Sequence, residues 1–398
     1  MNKSKLFRLF AFLMAVSMVL AACGAAQPTA APAANSEKKV TASGFECPEP
    51  NPRVDIISKE LNMFVWTEYI PQDIIDCFEL VYGVKVNRDE YSSAEEMFAK
   101  FSKGGTNYDV LHVSDNVVPP IIRLGLLAKL DKNRLPIMAN FDPTYLNLSF
   151  DPNNEYTIPY EAGIDAIVVN TDKVPNPPKS WAELWNPDYK GRMVSIDDSR
   201  AIIGVALTTL GYDVNTTDPK QLDEAKQKLK ELMPNIKVFD SDSPKTELIA
   251  GDVDLGIVWT AEAELARQQN PAITFIYPSE GAINWQDNWG IAANAAHEDA
   301  AYAWLNYSMQ PDLFWMMLRD FPYINPNKAT LDFAKGNSMK ITDANGAETT
   351  LGALYDTYTA SPITNPPADA VKKGHRAVDV GDATAMFDQV WTEVKGGQ

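Results

Sequence analysis

Between Leu61 and the Glu262-Ala263-Glu264 stretch, short apolar runs alternate with segments of helical periodicity, and this alternation confines the chain to an α/β fold. Leu61 to Trp66 reads as a strand. Pro71 opens a helix with Ile74, Ile75, Phe78 and Val81 on one face, and Gly83 closes it before a second strand at Val84-Lys85-Val86. Ser93-Ala94-Glu95-Glu96 is a capping box for a helix running through Phe101. Further strands are expected at Tyr108 to Val113, Ala166 to Asn170 and Val253 to Trp259. Asp218-Pro219 starts an amphipathic helix with Leu222, Ala225, Leu229 and Leu232 on its apolar face. The pattern predicts largely parallel sheets, and there is no internal repeat.

The first 23 residues set the compartment. A basic start from Met1 to Arg8 precedes an apolar run from Leu9 to Ala22, too short to cross a bilayer core of about 30 Å. The order is that of a secretory signal, and its ending, Leu20-Ala21-Ala22-Cys23, resembles the bacterial lipobox, in which Cys23 is lipidated and becomes the mature N-terminus. An Ala/Pro/Ser-rich tether is expected over 23–53, after a signal peptide over 1–22. Cys47 and Cys77 remain as a disulfide candidate in an oxidising compartment.

The formal net charge is -18, and loss of Lys3, Lys5 and Arg8 with the leader makes it more negative. Such a surface repels phosphate backbones and excludes a nucleic-acid partner. No G-x-S-x-G, G-x-x-x-x-G-K-[ST] or G-x-G-x-x-G occurs, and His112, His297 and His375 lack metal-ligand spacing. No enzyme, metal or cofactor is expected; Asp197-Asp198 reads as a solvated acidic face rather than a catalytic pair.

What stands out is Trp and Tyr beside acids: Trp66-Thr67-Glu68-Tyr69, Trp259 with Glu262, and Trp285-Gln286-Asp287. An ammonium taken out of water needs a carboxylate, and aromatic faces attract the cation while covering its methylenes. These segments, with Phe150-Asp151-Pro152-Asn153-Asn154-Glu155-Tyr156-Thr157-Ile158-Pro159-Tyr160 and Ser180-Trp181-Ala182-Glu183-Leu184-Trp185-Asn186-Pro187, resemble the spermidine/putrescine-binding proteins of bacterial ABC importers. The likeness runs in order through most of the chain after about residue 55.

The resemblance implies a two-lobe, type II periplasmic-binding-protein fold with the ligand cleft between the lobes. Lobe one is then 54–162 with 286–332, and lobe two is 163–285 with 333–398. It implies capture of a polyamine by hinge closure, delivery to a membrane permease, and a monomer held to the membrane by its lipid. Matched by position, Trp66, Thr67, Glu68 and Tyr69 form one wall and receive a terminal amine. Ser114, Asp198, Ser241, Trp259 and Tyr323 match further lining positions, and Trp285 with Asp287 matches an aromatic–acid pair that holds an amine. Glu262 stands where putrescine-preferring relatives carry an acid.

Three positions depart from the spermidine-binding pattern: Ala201 replaces a Glu, Ala377 a Gln and Asn116 a Tyr. Two readings follow. Either the ligand is shorter, with putrescine favoured, or acids such as Glu161 and Glu262 compensate, with Asp165 a weaker candidate because it sits inside an expected strand. The alternatives to a polyamine binder are the same fold with another small solute and an extracytoplasmic hydrolase.

Overall fold

Leu61, Met63, Phe64 and Val65 are buried on both faces of the strand Glu60–Trp66 (β1), so the sheet it belongs to is covered on both sides. The computed structural model describes residues 38–396; the expected signal peptide, Cys23 and the first part of the tether lie outside them. Among the described residues no helix is long and apolar enough to cross a membrane.

The helix Gln72–Tyr82 (α1) buries Ile74, Ile75, Phe78 and Val81, and Gly83 ends it at φ 66°, a left-handed cap that glycine adopts without strain. Ser93 accepts a hydrogen bond from the Glu96 amide to start Ala94–Phe101 (α2). Glu96 returns the bond to the amide of Ser92, one residue before the cap. The remaining strands are Lys85–Tyr91 (β2), Val110–Ser114 (β3), Thr157–Asn170 (β4), Met193–Ser195 (β5), Ile236–Phe239 (β6), Leu255–Trp259 (β7), Ile273–Ile276 (β8) and Ile283–Ile291 (β9). Between them stand the helices Ser199–Thr209 (α3), Pro219–Leu232 (α4) and Thr260–Gln269 (α5), with Glu298–Ser308 (α6) and Thr384–Lys395 (α7) after β9.

The main sheet runs β2-β1-β3-β9-β4-β7-β5-β6, with β8 paired to β4. It is mixed, which corrects the expectation of largely parallel sheets. Pairing is parallel at the two ends, where β1 lies beside β2 and β3, and β5 beside β6 and β7. It is antiparallel through the middle, where β9 meets β3 and β4, and β4 meets β7 and β8. The cause is the two long strands. β4 begins against Gly290, Trp289 and Asn288 of β9 and ends against β7 and β8, so it carries the chain from one half of the sheet to the other.

Each half has its own core. Phe78, Trp289, Trp304 and Trp315 fill one around α1 and α6. Trp181, Ile202, Leu229 and Phe387 fill the other around α3, α4 and α7. The last part of the expected tether lies on the body. Cys47 is joined to Cys77 of α1 by a disulfide, Thr41 donates to Asp73 at 2.7 Å, and the Tyr307 hydroxyl donates to the Pro48 carbonyl at 2.9 Å.

Candidate functional site

The carboxyl ends of β1, β3 and β7 deliver Trp66, Ser114 and Trp259 to one place, a crevice outside strand ends of the kind that α/β sheets use for ligands. This cleft, counted out to the solvent at its mouth, holds about 790 Å³. It brings together all twelve residues matched in the sequence: Trp66, Thr67, Glu68, Tyr69, Ser114, Asp198, Ser241, Trp259, Glu262, Trp285, Asp287 and Tyr323.

β9 supplies the centre. Asp287 lies opposite both Ser114 of β3 and Glu161 of β4, and the Ser114 hydroxyl donates to its carboxylate at 2.6 Å. The Tyr69 hydroxyl and the Trp66 indole N–H also face this carboxyl, from beyond hydrogen-bond geometry. Burial pushes the Asp287 carboxyl up to about 7; the Ser114 hydrogen bond pulls the other way, and the neighbouring Asp115 adds to the rise. Among the described residues no cation pairs with it.

Aromatic rings wall this carboxyl. Tyr323 stands edge-on to Trp285 with ring centroids 5.3 Å apart and edge-on to Tyr69 at the same distance. Trp66 and Trp259 meet from the two halves of the sheet at 6.4 Å. Trp285 takes its position because Gly163 lies opposite it on β4: a Cβ there would fall 2.0 Å from the indole.

Asp165, the weaker candidate in the sequence because of its strand, lines the cleft and accepts from the Trp285 indole N–H at 2.8 Å. Burial first, and then the nearby Asp198, raises its carboxyl well above the usual range. A signal was present in the sequence, since an acid inside Ile164-Asp165-Ala166-Ile167-Val168 is costly to bury unless it has work to do. Asp198 is no solvated acid either. It caps α3 by accepting from the Ala201 amide at 2.8 Å, and burial raises its carboxyl. Glu95 of α2 accepts from Ser199 beside it and is pushed up to about 7 by burial and by Asp198.

Glu161, opposite Asp287 on β4, is not among the residues that line the cleft: it is fully buried, has no hydrogen-bond partner, and is raised by burial and by Asp287. Glu262 does line the cleft, paired to Lys245. Asp115 also lines it and pairs with Arg376. Ala201, Ala377 and Asn116, the three departures, lie in the wall as well. The lining holds seven carboxyls, Glu68, Asp115, Asp165, Asp198, Asp242, Glu262 and Asp287, against the guanidinium of Arg200, with Lys245 and Arg376 pairing with Glu68, Glu262 and Asp115. A dication carrying its charges on a short apolar stem is the solute that such a wall complements.

The family model described as bacterial extracellular solute-binding protein matches residues 73–348. The spermidine/putrescine-binding periplasmic protein of Escherichia coli (strain K12) is 37% identical over 341 residues, which are 85% of this chain and 92% of that protein. A solved structure from Listeria monocytogenes, named for spermidine/putrescine ABC transport, is 25% identical and covers 86% of this chain and 100% of its own, with a TM-score of 0.78. A lipoprotein of Treponema pallidum is 27% identical over 84% of this chain and 99% of its own, with a TM-score of 0.70.

Proposed function

Because the chain belongs to the bacterial extracellular solute-binding proteins, we propose that it captures a polyamine, putrescine or spermidine, outside the cytoplasm and hands it to the permease of an ABC importer. The observation that carries this reading is Asp287. It is a buried carboxyl without a cation, hydrogen-bonded to Ser114, walled by Trp285, Tyr69 and Tyr323, and held near neutrality by burial. An ammonium brought beside it restores the charge, and the rings cover the methylenes.

Capture is reversible and makes no covalent bond. The two halves of the sheet act as lobes, with edges near 54–162 with 286–332 and 163–285 with 333–398, hinged on β4 and β9. Closure excludes water, and each ion pair strengthens in the lower dielectric. The molecule works as a monomer, tethered by a lipid on Cys23. The resemblance of Leu20-Ala21-Ala22-Cys23 to a lipobox and the likeness to a lipoprotein support the anchor.

The test is a thermal-shift screen of the mature chain against putrescine, cadaverine, spermidine, spermine, agmatine, sugars and amino acids. A ligand at a hundred times its Kd adds about 2.7 kcal/mol to the folded state. A shift confined to the polyamines is expected. Stabilisation by a sugar or an amino acid alone would leave the fold reading intact and remove the polyamine.

A further inference from the structure

Lys245 opens the short helix Lys245–Ala250, and its ammonium reaches into the acids of the cleft. Nζ lies 3.1 Å from both oxygens of Glu262, 3.3 Å from Glu68 and 2.9 Å from the Ser243 hydroxyl. The three donors of an ammonium are thereby used. The Lys245 amide adds a bond to Glu262 at 3.2 Å. Glu68 follows β1 and Glu262 lies on α5, so acids from the two halves of the sheet meet on one lysine.

We propose that Lys245 is a specificity-determining residue: its ammonium occupies the amine site between Glu68 and Glu262, leaving the cleft to ligands whose charges reach only Asp287 and the Asp165–Asp198 end. The inference rests on the polyamine reading and deepens it.

The chain supplies this cation itself. The Glu262 side chain is only 7% exposed, and a carboxylate so buried needs a partner whether or not ligand is present. A tethered ammonium acts at an effective concentration on the order of millimolar, so a free amine competes for these two acids at a disadvantage. Asp287 and Asp165 are different, since among the described residues no cation pairs with either. Asp198 and Asp242 of the lining likewise pair with no cation among the described residues, so four carboxyls remain to receive the two charges of a diamine. Ala201 and Ala377 in the lining offer no side-chain acceptor for a third amine.

The experiment is calorimetry on the mature wild-type chain and on the Lys245→Met and Lys245→Arg variants, each titrated with putrescine and with spermidine. Met keeps most of the stem and removes the charge; Arg keeps the charge. The expected result for Lys245→Met is a gain of about tenfold or more in spermidine affinity relative to putrescine, as a freed carboxylate pair accepts the extra amine. Lys245→Arg should hold the wild-type ratio. If Lys245→Met gives no folded protein, Lys245→Gln makes the same test. A putrescine-to-spermidine ratio that is equal in all variants overturns the role of Lys245 while leaving the polyamine reading standing. A wild-type chain that binds neither amine removes both.

Discussion

At the scale of single residues, the empty cleft stores its information in carboxyls that burial keeps from ionising. Asp287, held at about 7, keeps a proton that the unfolded chain has already lost. Its contribution to the stability of the empty protein is therefore full below about pH 3.8 and is lost as the pH rises towards 7, with a slope of at most about 1.4 kcal/mol per unit. A bound ammonium favours the ionised form, so binding at pH 6 expels a proton and affinity weakens as the pH falls. Calorimetry at pH 6 in two buffers of different ionisation heat should give different apparent enthalpies for the wild-type chain. Asp287→Asn should lose affinity on the order of a hundredfold and also reduce that buffer dependence to the part that Asp165 contributes, while the empty variant stays folded. Unchanged affinity in the Asn variant would remove Asp287 from the site. The ring beside it depends on a missing side chain: only glycine at position 163 leaves room for the Trp285 indole over β4.

At the scale of elements, α3 is where packing and ligand chemistry meet, because its cap is also a wall of the cleft. Asp198 holds the Ala201 amide, so two of its roles can be separated by chemistry. Asn caps a helix about as well as Asp, whereas Ala forfeits roughly 1 kcal/mol. Asp198→Asn should keep the melting temperature of the empty protein and weaken polyamine binding; Asp198→Ala should lower both. Equal affinity for the Asn variant and wild type would leave Asp198 a cap alone. The amphipathic helices were legible in the sequence because spacing and caps agree: Leu222, Ala225, Leu229 and Leu232 on α4, behind Asp218, are the buried face. The parallel ends of the sheet were legible for the same reason. The two long strands were not. All fourteen residues of β4 are buried, so no alternation marks its register, and neither Gly163 nor Asp165 announces which side it faces. The aromatic–acid segments could be matched by likeness, but Lys245 in an acidic chain reads as one more solvated charge until Glu68 and Glu262 converge on it.

At the scale of the whole molecule, the cleft and the disulfide-bound arm can be tested for independence. The cleft lies between the halves of the sheet; the disulfide joins Cys47 to α1 inside the core that holds Phe78 and Trp304 and that also packs Tyr69 and Tyr323 of the cleft, while neither cysteine lines the cleft. The bridge closes a loop with a sequence separation of 30, which on the chain-entropy account stabilises by roughly 3–4 kcal/mol, acting on the unfolded chain. For a body of this size that corresponds to a fall of about 5 °C in melting temperature when the bridge is removed. Ligand acts on the folded state through the cleft acids. Effects of sites without shared partners add. The Cys47→Ala/Cys77→Ala double variant should therefore melt about 5 °C lower both empty and loaded, with the same polyamine-induced shift and the same Kd as wild type. An arm that took part in lobe closure would give a different result, a ligand shift that shrinks when the bridge is absent, and differential scanning calorimetry with and without putrescine separates the two.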